Sequence, residues 1–161
     1  MERRDKVNYY LDLAEVVSKR CTCLRRHYGA VIVKNDEVIS TGYVGAPRGR
    51  KNCSDLGYCI RQQLNIPRGE RYELCRSVHA EANAIISAAR SDMLGATLYL
   101  VGKEYLVTVI QNETARFPAF DNGILSVFCM GAEATGVTIR GLKYELEDVA
   151  LTNALPLGIS N

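Results

Sequence analysis

A histidine and a glutamate stand two residues apart in the segment from Cys75 to Ile86, which reads CRSVHAEANAII. The alanine-rich run after His79 predicts a helix with His79 and Glu81 in its first turn. A helix start has unpaired N–H groups and partial positive charge, which stabilise a carboxylate or a metal-bound hydroxide. The spacing therefore suits a metal ligand, His79, beside a proton carrier, Glu81. A hydrogen-bonded histidine and an ordinary helix-start carboxylate are the alternatives it leaves open.

Few other residues in the sequence could bind a metal beside His79. The chain has two histidines and six cysteines, and five of those cysteines lie in its first half. In a reducing compartment such clustering favours a metal over disulfides. Cys129 is the only cysteine or histidine after His79.

The composition indicates an ordinary globular protein. With 161 residues, 47% hydrophobic and 24% charged, the sequence is most simply one domain over 1–161. A net charge of +2 is too small to indicate a nucleic-acid or membrane partner. No apolar run has the length of a membrane span and the first residues are charged, so we expect a cytoplasmic protein.

The first half of the chain predicts elements that could position the pair. Apolar residues three and four apart predict an amphipathic helix over 2–19, and β-branched runs predict a hairpin of strands 29–34 and 37–43. Residues 44–50 form a loop rich in turn formers and arginine. A long excursion over 52–73 carries a short helix at 56–64.

The second half predicts alternating helices and strands. We expect a helix from His79 to about Arg90, with Ala84, Ile85, Ala88 and Ala89 on its buried side. Strands should follow at 95–102 and 136–140, with 105–110 as another strand or a continuation of the first. A helix is expected at 124–134, and the tail after Gly141 has no clear pattern. The element order predicts an α/β three-layer sandwich, a mixed sheet with helices on both faces.

These segments resemble the deoxycytidylate deaminase family, within the cytidine deaminase-like fold. The matching stretches read TCLRR from Thr22, GAVIVK from Gly29, GYVGAPRG from Gly42, ELCR from Glu73 with HAEANAI from His79, and GATLY from Gly95. They occur in family order over about three-fifths of the chain. Five ordered blocks are far more specific than a lone H-A-E.

The resemblance implies zinc-dependent hydrolytic conversion of dCMP to dUMP. Zinc held by one His and two Cys would activate a water that attacks C4 of cytosine, His79 being a ligand and Glu81 moving the protons. It also implies a homo-oligomer, in some members regulated by a deoxynucleoside triphosphate. Substrate contacts would fall at Arg26, Val44, Gly45 and Arg48. A phosphate pocket could involve Arg25, Arg26, Arg48 and Arg50, although each of these arginines is equally explained as a solvated basic surface.

Two departures from the family pattern concern residues of the catalytic site. The downstream P-C-x-x-C that supplies two zinc ligands is absent. Aligning Pro118 with its proline places Ala119 and Asn122 at the cysteine positions. Aligning Gly136-Val137 with the end of the family's helix instead places Leu125 and Phe128 there, with Cys129 one residue out of register. Cys129 or an oxygen from Asp121 would then be the substitute ligand. Val44 replaces an asparagine expected to hydrogen-bond substrate. An inactive deaminase-fold protein that binds a nucleotide or a protein partner is therefore the alternative function.

A structural zinc is a second expectation. Cys23 and Cys53 match positions that hold one in some family members, and Cys59 and Cys75 would complete a tetrahedral site of four thiolates. Four buried thiols without metal are the alternative. A third arrangement joins His79 to Cys53, Cys59 and Cys75, which would remove the catalytic interpretation.

Overall fold

The computed structural model describes residues 3–103, 105–118, 123–129 and 132–152. The chain forms two compact units, residues 1–117 and 118–161. In the described ranges no helix is both long and apolar enough to cross a membrane.

The first unit is built on a four-stranded sheet in the order β2-β1-β3-β4. Its strands are β1 (Tyr28–Lys34), β2 (Glu37–Tyr43), β3 (Thr97–Gly102) and β4 (Leu106–Val107). The β1–β2 hairpin turns at Asn35 and Asp36, whose φ angles of 51° and 68° suit these two residue types. The predicted hairpin is confirmed. All pairings among these four strands are antiparallel, so they do not contain the parallel pair that a mixed sheet requires.

Helix α1 (Lys6–Ser18) covers one face of this sheet. The Asp5 carboxylate caps it by accepting the Asn8 N–H at 3.0 Å. The helix buries apolar residues of one face against alternate residues of β1 and against β3; the cluster comprises Val7, Tyr10, Leu11, Ala14, Val31, Val33 and Tyr99. The helix predicted over 2–19 is therefore confirmed, with slightly tighter ends.

Helix α4 (Ala80–Ser87) covers the opposite face. Ala80 and Ala84 are fully buried and pack in one cluster with Ala30 and Ile32, which point away from α1 because strand side chains alternate. A Cβ on Gly42 would lie 2.2 Å from the Ala80 carbonyl oxygen, so only glycine permits this close approach. Helices on both faces of the sheet confirm the predicted α/β fold class.

The helix predicted over 79–90 is interrupted. Ala88 is extended (φ −97°, ψ 149°), and a separate turn, α5 (Arg90–Met93), follows. Ala84 is buried as predicted, but Ile85 is 47% exposed. Because successive helical residues are about 100° apart, the face set by Ala80 and Ala84 turns Ile85 outward.

The excursion over 52–73 forms three short helices instead of one. These are α2 (Cys53–Leu56), α3 (Ile60–Gln63) and a 3-10 turn (Tyr72–Leu74). Gly57 ends α2 in the left-handed region at φ 72°, which divides the helix predicted at 56–64.

The described part of the second unit is a two-stranded antiparallel sheet of β5 (Glu133–Ile139) and β6 (Leu146–Thr152). The helix predicted over 124–134 is wrong: residues 123–129 are not helical and Glu133 begins a strand. Val127, Phe128 and Ile124 lose side-chain freedom in a helix, which lowers helix stability there. The strand predicted at 136–140 is confirmed, and β6 occupies the tail that the sequence left unassigned.

Candidate functional site

His79 and Glu81 lie together at the start of α4. His79 is the N-cap residue in extended conformation (φ −65°, ψ 154°), and Glu81 is in the first turn. The His79 Nδ1 atom lies 3.2 Å from Glu81 Oε1. The His79 side chain is 68% exposed and that of Glu81 36% exposed, so both can reach a ligand in solvent. The predicted pair is thus formed, with the carboxylate in the positive field of the helix start.

The loop after β2 is held against this helix start. Gly45 and Val78 form an antiparallel bridge, in which Val78 N–H donates to the Gly45 carbonyl at 2.8 Å and Gly45 N–H donates back at 3.3 Å. The Asn83 amide donates to the Tyr43 carbonyl at 2.8 Å and to the Gly45 carbonyl at 3.4 Å. This fixes the loop beside His79.

Asn83 is a positioning residue that the sequence reasoning missed. The available signal was an asparagine inside an alanine-rich helix, where its propensity is poor unless the side chain has a partner.

Val44 and Gly45 contribute shape at this site. Val44 is 5% exposed and packs in the core cluster beneath α4. Its N–H donates to the Tyr28 carbonyl at 3.2 Å, and its carbonyl accepts from Thr22 N–H at 3.0 Å. A Cβ on Gly45 would lie 2.7 Å from Thr22 Oγ1. Their predicted substrate contact stays a prediction, and their backbone amides are already engaged.

Two of the four arginines predicted for a phosphate pocket, Arg48 and Arg26, occupy different places in the first unit. Arg48 is exposed on the loop after β2, and its Nη2 donates to Ser87 Oγ at 3.3 Å, at the far end of α4. Ser87 lies six residues beyond Glu81, about 9 Å along the helix. Arg26 is half-buried in the loop between α1 and β1. Their roles toward a phosphate stay predictions.

The four cysteines predicted for a structural zinc share one neighbourhood. Cys23, Cys53 and Cys59 are buried, and Cys75 is partly so. Burial raises the pKa of Cys75, and the nearby thiols of the other three raise it further. Burial also opposes ionisation of Cys59, but N–H groups of Gln62 and Arg61 and the Arg25 side chain outweigh it and lower its pKa.

The four thiols do not form a closed metal cage. Among the described residues, no three His, Cys, Asp or Glu side chains are arranged to hold a metal ion. The thiols have the right chemistry for structural zinc, and that site stays a prediction.

The donor set for a catalytic zinc does not fit in the described residues. The potential ligand beside His79 is Glu81, whereas a catalytic zinc normally has three protein ligands. Cys129 belongs to the second unit and is half-buried, and its predicted ligation of zinc stays a prediction. Asp121 lies outside the described residues.

A second residue that sequence reasoning missed is Arg61, which holds the excursion together. It is 5% exposed, its guanidinium lies 4.3 Å from the Tyr72 ring centroid, and its Nη2 donates to the Pro67 carbonyl at 2.9 Å and to the Glu70 carbonyl. A buried arginine with several partners replaces the apolar core that this segment lacks.

Comparison with known proteins places most of the chain in one group. Residues 4–110 match the family model described as the cytidine and deoxycytidylate deaminase zinc-binding region. The deoxycytidylate deaminase of Mycobacterium phage D29 is 41% identical over 105 residues, which cover 62% of this chain and 80% of the phage protein. That of Schizosaccharomyces pombe is 39% identical over 83 residues, 52% of this chain but only 26% of the yeast protein.

A structural neighbour and a second family model complete the comparison. The apo crystal structure of dCMP deaminase from cyanophage S-TIM5 has 26% identity and a TM-score of 0.37, covering 53% of this chain and 55% of that one. Residues 109–161 match the vitamin B1 binding domain of thiamin pyrophosphokinase. The two matched families meet at residues 109–110.

Proposed function

Because the chain belongs to the cytidine and deoxycytidylate deaminase family, we propose that it acts on dCMP and converts it hydrolytically to dUMP. The observation that carries this proposal is the His79–Glu81 pair at the start of α4, inside the segment that matches the family. The phage D29 relative, which has the same activity in its name, is similar along most of its length.

Glu81 is the proton carrier in this proposal. Water adds to C4 of the cytosine ring and ammonia leaves, so one proton of the water must move to the ring nitrogen and the other to the departing amino group. A carboxylate within hydrogen-bond reach performs both transfers. The hydrogen bond to His79 Nδ1 orients the Glu81 carboxylate, and Asn83 holds the loop of Tyr43 to Gly45 beside it.

Zinc enters the proposal only as a question for experiment. The family description names zinc, yet the described residues offer His79 without two cysteines. We propose Cys129 as a further ligand of a catalytic zinc, and Cys23, Cys53, Cys59 and Cys75 as a structural site. A cytoplasmic homo-oligomer with a nucleotide effector is proposed on the same family grounds.

The second candidate is a protein that binds the nucleotide without turnover. Ligand counting favours it, because P-C-x-x-C is absent from the whole sequence and Val44 offers no side-chain hydrogen bond to a base. In this case the first unit retains the binding loop and loses the hydrolysis.

An assay of dUMP formation separates the two candidates. Under deamination, Glu81→Gln should lower kcat about a thousandfold, since a general acid–base residue contributes that order. Glu37→Gln, an exposed carboxylate at the start of β2, is the matched control and should retain full activity. Equal rates for the native protein and Glu81→Gln, with dCMP still bound, would establish the second candidate.

Metal content per chain gives an independent test. Two zinc ions, one of them lost in His79→Ala and the other in Cys53→Ser, would support a catalytic and a structural site. One zinc that survives His79→Ala would support binding without turnover.

The match of residues 109–161 favours a further candidate function for the second unit, the binding of thiamin. Calorimetric titration of the full chain with thiamin tests it. Heat that persists in Glu81→Gln would support a separate site, and no heat would remove this candidate.

A further inference from the structure

Two tyrosine side chains stack on each other at the end of the sheet where β1 begins. Tyr28 is the first residue of β1, and Tyr105 lies between β3 and β4. Their ring centroids are 5.6 Å apart with an interplanar angle of 25°, and their hydroxyl oxygens are 2.9 Å apart. Because the oxygens are much closer than the centroids, the rings converge towards their hydroxyl ends. The ortho carbons beside the two hydroxyls are therefore close to each other.

Gly102 makes this arrangement possible. Tyr28 pairs directly with Gly102 of β3, and a Cβ on Gly102 would lie 2.0 Å from Tyr28 Cε1. The Tyr28 ring therefore lies across the glycine, in space that a side chain would otherwise occupy. Gly102 N–H donates to the Tyr105 carbonyl at 2.8 Å, so the chain turns back beside that ring. The backbone of the sheet thus holds the two tyrosines together.

Solvent reaches this pair, in contrast to the tyrosine pair in the α1 core cluster. Tyr105 is 49% exposed and Tyr28 is half-buried. Tyr10 and Tyr99, whose ring centroids are 5.1 Å apart, are only 4% and 6% exposed. The Tyr10 hydroxyl also donates to the Asp36 carboxylate. An oxidant in solution can therefore act on Tyr28 and Tyr105, whereas the core pair is shielded from it.

We propose that Tyr28 and Tyr105 form an oxidative cross-linking site, which a one-electron oxidant of the peroxidase class joins into dityrosine. Each phenol loses one electron and its hydroxyl proton and becomes a phenoxyl radical, whose unpaired electron is shared with the ortho carbons. The two unpaired electrons form a carbon–carbon bond between ortho carbons, and the hydrogen on each of these carbons moves to oxygen to restore the ring. Hydrogen peroxide accepts the two electrons and two protons and becomes two water molecules. Holding the two rings side by side favours this bond over reaction with other molecules.

The new bond would restrain the short edge strand β4. This strand pairs with β3 through two residue pairs, and both of its residues, Leu106 and Val107, are exposed. A link between Tyr28 and Tyr105 would tie the residue before β4 to the start of β1. The inference goes beyond the proposed deamination, because it involves neither His79 nor Glu81.

Oxidation of the full chain with a haem peroxidase and hydrogen peroxide tests the proposal. Dityrosine fluorescence should appear, and the single chain should become lighter by two hydrogen atoms even after reduction, which removes any disulfide. Peptide mapping by mass spectrometry should place the link between Tyr28 and Tyr105, with a yield that does not depend on protein concentration. Dityrosine that joins two chains or maps to other tyrosines would overturn the proposal, as would oxidation of both rings without a link.

Phenylalanine variants locate the site, because phenylalanine keeps the ring but cannot form a phenoxyl radical. Tyr28→Phe and Tyr105→Phe should each abolish the link, with native folding checked by circular dichroism. Tyr9→Phe is the matched control, since Tyr9 is 48% exposed and its ring meets that of Tyr10 edge-on at 61°. A link that survives in Tyr105→Phe, or an equal loss in Tyr9→Phe, would contradict the proposed site. Glu81→Gln should cross-link like the native protein even if deamination fails.

Discussion

At the residue scale, the candidate site centres on three side chains at the start of α4, His79, Glu81 and Asn83. His79 and Glu81 were found from their spacing alone, because H-x-E at a helix start has a direct physical interpretation. Asn83 was not found, because its value comes from carbonyl groups of the Tyr43–Gly45 loop, forty residues earlier in the chain. Sequence patterns report local periodicity, and such long-range acceptors are invisible to them.

Replacing Asn83 tests whether it holds the loop to the helix. Asn83→Ala should lower the free energy of unfolding by about 1 kcal/mol and weaken dCMP binding, because the Tyr43 carbonyl loses the Asn83 amide and the Gly45 carbonyl keeps only Val78 N–H. Alanine is the better helix former, so helix propensity alone predicts the opposite sign. Urea denaturation measures the change, and equal or higher stability would contradict the role assigned to Asn83.

Tyr10 contributes stability that should be lost at alkaline pH. Burial and a hydrogen bond to Asp36 raise the pKa of Tyr10 to about 12, and the hydroxyl donates to Asp36 Oδ1 at 2.7 Å. The unfolded pKa is about 10. Because the folded pKa is the higher one, this contribution is fully present below pH 10 and is lost as the pH rises through about 12.

The variant Tyr10→Phe isolates that contribution. It should lower the free energy of unfolding by about 1 kcal/mol at pH 8, where the native hydrogen bond is intact. The difference in unfolding free energy between native protein and variant should shrink between pH 10 and 12. A difference that stays constant up to pH 12 would show that the Tyr10 hydroxyl does not carry the pH dependence.

At the element scale, apolar periodicity predicted the elements that pack on the four-stranded sheet. It failed to predict segments that bury few side chains. Helix α1 and the β1–β2 hairpin follow from apolar spacing, since each buries one regular face. The helix predicted at 124–134 was wrong because a short apolar run fits a helix or an extended segment equally well. Periodicity alone could not choose between these.

The contact between β2 and α4 depends on Gly42. A Cβ there would lie 2.2 Å from the Ala80 carbonyl oxygen and 2.3 Å from the Ala84 nitrogen. Gly42→Ala should therefore push α4 away from β2 and lower the free energy of unfolding by about 3 kcal/mol. It should also weaken dCMP binding, because His79 and Glu81 move with α4.

Gly29→Ala is the matched control on the other face of the sheet. Its Cβ would lie 1.9 Å from the Ala14 carbonyl oxygen in α1, so it should be similarly destabilising. At a temperature where both variants are folded, only Gly42→Ala should lose dCMP affinity. Equal affinity losses would mean that the site responds to stability in general and not to the position of α4.

At the scale of the whole molecule, length and composition predicted one domain over 1–161, which stays a prediction. The chain divides into compact units after residue 117, and the two family matches meet at 109–110. Composition cannot reveal such a change, because both segments have ordinary globular character. The family pattern places P-C-x-x-C beyond residue 110, where the deaminase match has ended and the second match has begun. The absence of the motif is therefore consistent with the second match.

The two units should differ in local stability. The first has a four-stranded sheet covered by helices on both faces, and Val31 in β1 is fully buried. The described part of the second has two strands, with Ile139 and Leu151 as its buried apolar residues. Because a two-stranded sheet is marginally stable alone, amides of β5 should exchange with solvent at least about tenfold faster than those of β1. Hydrogen exchange followed by mass spectrometry measures both, and equal protection would show that the second unit gains stability from contacts other than its own sheet.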